Sequence, residues 1–317
     1  MEIPSLLKTN LSIITSEYKM SDLKLALSNI TTRYMDDYRD GSSLLNKDIE
    51  AVSYANVRMA ATYGSVYNII EHLLNNINYE DIPRSILDVG AGTGSASWAI
   101  AEQINLDNIL CLEREDAMLK LGEKLMDENF SCNNVKWQKF DVLNNKITDK
   151  KDLVIASYMI NELNDDIKDE VIDELWNSAN KFLVIVEPGT KMGFNNIKKI
   201  RERLLSKGAN IVLPCPCDEC KISEDDWCHF TIRVARTKIH KELKEADVPY
   251  EDEKFSYIVL SKIKTDKCNM RVMRHPIIET GKVTLTVCSK DGVSEKCFRK
   301  KDDEFKIAKK LNCGDSL

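Results

Sequence analysis

The sequence predicts an α/β protein: a mostly parallel, doubly wound sheet covered by helices on both faces, with a helical region in front of it. Three observations predict it. Short apolar runs alternate with helical patterns from Ile86 onward, the signature of a parallel sheet buried on both faces. A glycine-rich turn joins the first of these runs to a helix, in ILDVGAGTGSASW. Residues 1–80 instead space their apolar side chains three and four apart, as amphipathic helices do.

In order along the chain, SDLKLALSNITTRYM and YANVRMAATYGSVYNIIEHLLNNI read as helices, and the polar DDYRDGSS between them reads as a loop. ILDVG is the first strand, DNILCLERE the second, and NVKWQKFDV, which alternates, the third. DLVIASYMI is the fourth, followed by the acidic helix DDIKDEVIDELWNSA, and KFLVIVEPG is the fifth. The basic helix MGFNNIKKIRERLLSKG comes next, then a cysteine-rich stretch, then FSYIVLSK and GKVTLTVCSKDG as the sixth and seventh strands. This places residues 1–80 in an N-terminal helical region and 81–317 in the sheet-containing domain. A cysteine-rich insertion covers about 209–240, between the fifth and sixth strands, and a C-terminal tail covers about 293–317.

Composition narrows the function. Hydrophobic residues make up 43% and charged residues 30% of the 317 residues, which suits a chain with a sizeable core. No window reaches the roughly eighteen uncharged apolar residues of a membrane span. The N-terminus lacks the basic, apolar and small-residue pattern of a secretory signal and the arginines of a transit peptide. The chain therefore reads as cytoplasmic, or as mitochondrial matrix if eukaryotic and already processed. In a reducing compartment its ten cysteines are not structural disulfides. Cys111 and Cys132 read as small buried hydrophobes. The net charge of −6 is unlike that of a dedicated nucleic-acid binder. Residues 190–240 nevertheless carry ten Lys/Arg against six Asp/Glu. Lys198, Lys199, Arg201 and Arg203, with Arg233, Arg236 and Lys238, form a candidate phosphate-binding face; the plain alternative is a solvated surface.

The glycine turn holds Asp88, Gly90, Gly92 and Gly94. Glycines there permit a tight turn and close approach of a ligand to the backbone, and the helix start adds free N–H groups. A dinucleotide fingerprint would carry a third glycine where this chain has Ser95. G-x-G-x-G preceded by a strand acid instead resembles motif I of class I S-adenosylmethionine-dependent methyltransferases, a Rossmann-like seven-stranded fold. Glu113 ends the second strand, where an acid can accept from both ribose hydroxyls. Asp141 follows the third strand, where such enzymes contact adenine. The competing readings are another nucleotide, or carboxylates merely solvated at strand ends. SYMINEL at the end of the fourth strand puts Asn161 and Glu162 near a methyl acceptor, yet the N-P-P-Y or D-P-P-Y of exocyclic-amine enzymes is absent. No catalytic base is assigned; Asn161 and Glu162 are weak candidates, with helix capping as the alternative. Methyl transfer by alignment alone needs little more.

PCPCDECKISEDDWCHF gathers four thiols, at Cys215, Cys217, Cys220 and Cys228, and Cys288 follows at the end of the last predicted strand. Zinc ribbons use paired C-x-x-C knuckles, and only Cys217–Cys220 makes one. Irregular spacing with a distant fourth thiolate suits an iron–sulfur cluster. Spacing leaves iron–sulfur, zinc and unligated thiols open. Cys217 is a spare thiol or a replacement ligand, and His229 a ligand or a packing residue.

With these motifs assembled, the chain resembles the methyltransferase-like family of the mitochondrial small ribosomal subunit, in a bacterial-like form. The resemblance rests on YANVRMAATYGSV, ILDVGAGTGSASWA, VIVEPGTKMGFNNIKKIRERLLSKGANIVLPCPC, DWCHFTIRVAR, TVCSKDG and FKIAKKLNCGDSL, and runs from about residue 22 to the C-terminus. It implies a 4Fe–4S cluster on Cys215, Cys220, Cys228 and Cys288, S-adenosylmethionine as cofactor, and association with the small ribosomal subunit or its rRNA. Cys217 departs from the family, which tends to have His there. Two functions follow as expectations: methylation of small-subunit rRNA, or assembly of the subunit with the cofactor pocket retained but no transfer. A small-molecule methyltransferase with a zinc site is the weaker third. No membrane partner is expected, and the chain is expected to be a monomer off the ribosome. A cluster here would order a long loop, because binding energy at a metal site is also folding energy.

Overall fold

The computed structural model describes residues 1–35, 45–127, 129–223 and 225–317. The DDYRDGSS loop lies outside the described residues. Helices α1 (Ser5–Thr15), α2 (Met20–Met35) and α3 (Asp48–Leu74) come first. Their apolar stripes meet: Leu7 and Leu11 of α1, Leu23 and Ile30 of α2, and Val66, Ile69 and Ile70 of α3 are buried in one core. That core continues under the sheet through Trp98 and Ile100.

The sheet begins with β1 (Ser85–Val89), α4 (Ser95–Ala101), β2 (Asn108–Glu113), α5 (Asp116–Leu125), β3 (Val135–Lys139) and β4 (Lys151–Ser157). It continues with α6 (Asp165–Ser178), β5 (Ala179–Pro188), α7 (Lys191–Ser206), β6 (Asn210–Leu213), β7 (Phe230–Ala235), α8 (Lys238–Lys244) and β8 (Tyr250–Ser261). The order is β3-β2-β1-β4-β5-β8-β6. Strands β1 to β5 pair in parallel, and β8 runs antiparallel to β5 and β6. Leu153–Ala156 of β4 and Phe182–Val186 of β5 are fully buried, as central strands with helices on both faces must be. The order turns back between β1 and β4, which opens a crevice at the carboxyl ends of the strands.

Two strand assignments differ from the sequence reading. The sixth strand of the sheet is β6, within GANIVLP; FSYIVLSK lies in β8, the eighth, which is inserted between β5 and β6 and also pairs with β7. The cysteine loop therefore leaves after β6, not between the fifth and sixth strands. A run of four residues carries too little periodicity to register as a strand. GKVTLTVCSKDG is not in the main sheet at all. It is β11 (Lys282–Ser289) of a second sheet that also holds β9 (Met270–Val272), β10 (Ile277–Glu279) and β12 (Gly292–Arg299). Alternation shows that β11 has one buried face, not which sheet buries it: Val283, Leu285 and Val287 pack on Val272 and on Ala308 of α9 (Phe305–Ala308). β12 also takes up the start of the segment expected as a tail.

Candidate functional site: a glycine-walled crevice and a cysteine-lined cavity

Between β1 and α4 the chain turns on three glycines with left-handed φ, +67° at Gly90, +58° at Gly92 and +79° at Gly94. L-residues avoid this region. Space is also short: a Cβ on Gly90 would lie 2.7 Å from Met159 Cγ, and one on Gly94 2.3 Å from Met126 Cε. Gly90 and Gly92 wall the crevice together with Glu113, Asp141 and Glu162.

Glu113, at the end of β2, is buried. Its Oε2 accepts from the Gly92 N–H at 2.7 Å and its Oε1 from the Glu115 N–H at 2.8 Å. Burial raises its pKa, and these two bonds hold the rise in check. Each oxygen keeps a second lone pair for a ligand hydroxyl. Asp141 accepts from the Leu143 N–H at 2.9 Å and the Asn144 Nδ2 at 2.8 Å, so it also shapes its own turn.

Asp88 is placed differently from the other acids. It is fully buried below the turn and is not among the crevice-lining residues. Its Oδ2 accepts from the Ser97 Oγ at 2.7 Å and the Ser97 N–H at 3.2 Å, fixing the start of α4. Burial pushes its carboxyl up to about 7, against the Ser97 bonds. Asn161 and Glu162 sit in a 3-10 turn, Ile160–Glu162. Glu162 lines the crevice and Asn161 does not. The Asn161 N–H donates to Glu187 Oε1 at 3.3 Å. Glu187, with no exposed surface, also accepts from Asn196 Nδ2 at 2.9 Å, and burial pushes its carboxyl up to about 7.

Sequence reasoning missed the opposite wall. Arg58 of α3 grips Glu253 of β8 through two bonds of 3.0 and 3.3 Å. The Tyr158 hydroxyl donates to the same carboxylate at 3.0 Å and lies 3.2 Å from Ser65 Oγ. Tyr158 is held at φ +59°, a strained state for a non-glycine residue. The available signal was an arginine inside the otherwise uncharged YANVRMAATYGSV stretch.

The second site is the cysteine loop. Cys215, Cys217, Cys220, Cys228 and Cys288 all line one cavity, with Arg201 and Arg271 beside them. Elements far apart in sequence bring them together. Cys288 comes from β11, opposite Arg271 of β9. The Cys228 carbonyl accepts from Ser256 Oγ of β8 at 2.6 Å, and Arg271 Nε donates to the Pro214 carbonyl at 2.9 Å. Burial pushes the Cys215 thiol up to about 12 and the Cys288 thiol up to about 11; Arg201 opposes both shifts, and the neighbouring cysteines add to them. Cys217 Sγ sits 3.0 Å from the Glu219 carbonyl. His229 is not among the cavity-lining residues and packs against Trp227, ring centroids 5.4 Å apart. Trp227 Nε1 donates to the Gly189 carbonyl at 3.0 Å, tying this loop to the end of β5. Cys268, overlooked in the sequence, accepts from Arg271 Nη2 at 3.3 Å. Among the described residues, no three or more His, Cys, Asp and Glu side chains stand close enough to hold a single metal ion.

Four of the seven residues of the expected basic face have partners within the chain. Arg201 is buried against the Cys217 carbonyl, and Arg203 pairs with Asp169 and Asp173. Arg233 pairs with Asp252 and Arg236 with Glu251. Helical spacing marks which residues share a face, but not the acids that neighbouring elements bring to it.

Strand order, glycine turn and crevice define a class I S-adenosylmethionine-dependent methyltransferase fold. Within that class, the family described as Mitochondrial small ribosomal subunit Rsm22 matches residues 48–317, and the chain belongs to it. The human mitochondrial ribosome assembly protein METTL17 is 26% identical over 261 residues, 74% of this chain and 55% of that protein. The Rsm22-cox11 tandem protein 2, mitochondrial, of Schizosaccharomyces pombe is 24% identical over 338 aligned positions, 88% of this chain and 44% of that protein. The chain thus spans about half the length of the curated relatives it matches. Among solved structures, the Synechocystis magnesium protoporphyrin IX methyltransferase with bound SAM aligns at TM-score 0.44 and 13% identity, covering 80% of this chain and 97% of that one. No helix of the described residues is long and apolar enough to cross a membrane.

Proposed function

We propose that this chain binds S-adenosylmethionine in the glycine-walled crevice and works as a methyltransferase-like protein on small-subunit rRNA or its assembly intermediates. The observation that carries this reading is the crevice itself: Gly90 and Gly92 bring bare backbone to its wall, and Glu113 is anchored there by two N–H donors. The site fits the cofactor. Gly90 and Gly92 would let the cofactor reach the backbone, Glu113 would take the ribose hydroxyls, and Asp141 would border the base. Asp88 supports the turn from below through Ser97. The cofactor supplies a methyl group made electrophilic by its sulfonium. The chain supplies orientation, and orientation carries much of such a reaction.

Family membership and the names of the relatives support the ribosomal partner. The relatives are mitochondrial by name, which favours the matrix over the cytoplasm. Off the ribosome the chain is proposed to be a monomer with no membrane partner. The second reading, an assembly factor that binds the cofactor without transferring its methyl, is favoured by the acceptor side. Asn161 is outside the crevice lining and the Tyr158 hydroxyl is committed to Glu253, leaving Glu162 alone of the two weak base candidates.

The proposal includes a structural 4Fe–4S cluster on Cys215, Cys220, Cys228 and Cys288. Five thiols lining one cavity supply the soft donors that such a group takes. These residues would hold the cluster and tie β11 of the second sheet to the loop after β6.

Titration calorimetry with S-adenosylmethionine on wild type and Glu113→Ala tests the crevice; binding lost in the variant is expected, and no binding by wild type refutes the cofactor reading. Tritiated methyl transfer to isolated small subunits, set beside co-sedimentation with them, separates the two readings: label on rRNA supports the enzyme, and co-sedimentation without label the assembly factor.

A further inference from the structure

The cysteine cavity contains an imbalance of charge. Arg201 is 3% exposed and Arg271 is 1% exposed, and both line the cavity. Their contacts are neutral. Arg201 Nη2 donates to the Cys217 carbonyl at 3.1 Å, and its Nε is buried without a partner. Arg271 donates to the Pro214 carbonyl at 2.9 Å, the Gly314 carbonyl at 2.9 Å and Cys268 Sγ at 3.3 Å. Among the described residues neither guanidinium has a carboxylate at ion-pair distance. Glu219, the carboxylate on the rim, is exposed and faces Lys221 at 3.7 Å, and Lys198 adds a further positive charge. Elsewhere on the same helix Arg203 has two aspartates. A guanidinium stays charged at any relevant pH, so burying it demands a counter-charge. Inside the cavity the neighbours able to supply one are the thiols; Asp315, beside the Gly314 that Arg271 binds, lies outside the lining.

We infer that Arg201 and Arg271 are the built-in counter-charges of an anionic metal–thiolate group, and that the cavity is matched to a filled site rather than to five neutral thiols. The inference rests on the proposal that this cavity holds a metal group. Four thiolates around a dipositive centre leave roughly two negative charges, which the two guanidiniums balance. Arg201 and Arg271 are positioning residues, not ligands. Metal loss then depends on their charge, and an iron centre is harder to reduce when one is neutralised, because the added electron loses a nearby cation.

The experiment uses the full chain, purified anaerobically and analysed for iron, sulfide and zinc. Wild type, Arg201→Gln, Arg201→Lys and Arg203→Gln are followed for metal loss to a chelator, with circular dichroism to check folding. Arg201→Gln is expected to lose metal about tenfold faster or more, within the range for outer partners of metal ligands. Arg201→Lys should stay close to wild type, and Arg203→Gln should match it. For an iron centre, the midpoint potential of Arg201→Gln should move to more negative values. Lys198→Glu, at a partly exposed position on the rim, should also speed loss; it keeps the test available if Arg201→Gln does not fold. Unchanged loss in Arg201→Gln or, should that variant not fold, in Lys198→Glu overturns the inference. So does equal damage in Arg201→Lys and Arg201→Gln, which would mean that shape and not charge matters. A wild type that never carries metal brings down the cluster proposal itself, and the inference with it; a loaded wild type with an indifferent Arg201→Gln brings down only the inference.

Discussion

Asp88→Asn should make the protein more stable at alkaline pH, even though it alters the acid of the motif I turn. Asp88 is fully buried and its carboxyl is pushed from the ordinary 3.8 to about 7, chiefly by burial. The folded state therefore binds the proton more tightly than the unfolded chain. Its contribution to stability is fully present below pH 3.8 and is lost as pH rises to about 7. The shift of about three units corresponds to roughly 4 kcal/mol in full. Asparagine keeps an acceptor for Ser97 and never ionises. The advantage of Asp88→Asn over wild type should thus grow by roughly 2–3 kcal/mol between pH 5 and pH 8. Glu187, also raised to about 7 by burial, titrates alike in both proteins and drops out of the difference. Urea unfolding of both proteins at several pH values measures this directly. A difference that stays flat with pH would refute the reasoning: Asp88 would then be hydrated or paired in the folded state.

The other predictions concern single contacts. Gly90→Ala forces a Cβ to 2.7 Å from Met159 Cγ at φ +67°, and should cost roughly 1–3 kcal/mol in thermal stability while weakening S-adenosylmethionine binding in calorimetry; unchanged affinity would mean that the turn does not face the ligand. Cys288→Ser should abolish iron and colour, whereas Cys217→Ser should keep both; the reverse pattern, read by metal analysis, would reassign the ligand set. Arg203→Ala should leave rRNA affinity and its salt dependence untouched, because that guanidinium is already spent on Asp169 and Asp173; a clear loss in filter binding across a salt series would restore the helix as a phosphate face.

The two sites share a structural element. β8 carries Glu253, which anchors Arg58 and Tyr158 at the crevice, and Ser256, which holds the Cys228 carbonyl. β5 ends at Pro188, and the carbonyl of the next residue, Gly189, accepts from the Trp227 indole. β8 thus carries a contact to each site.

The sequence by itself determined the parallel half of the sheet, the glycine turn and the identity of the clustered thiols. These are local matters. An apolar run five residues long declares a buried strand, and left-handed backbone in a tight turn needs glycine at Gly90, Gly92 and Gly94. The order of the last strands was not legible, because β6 is too short to show a period and because neither the apolar run of β8 nor the alternation of β11 says which sheet it joins. Nor was the fate of charge. Arg201 and Arg203 read as neighbours on one basic face, yet one enters the cysteine cavity while the other meets two aspartates of α6. Asp88 and Glu113 both stand on parallel strands as acids, but only Glu113 reaches the crevice. Spacing fixes where a side chain leaves its own element; what it meets depends on elements brought in by long-range packing, and only the tertiary structure decides that.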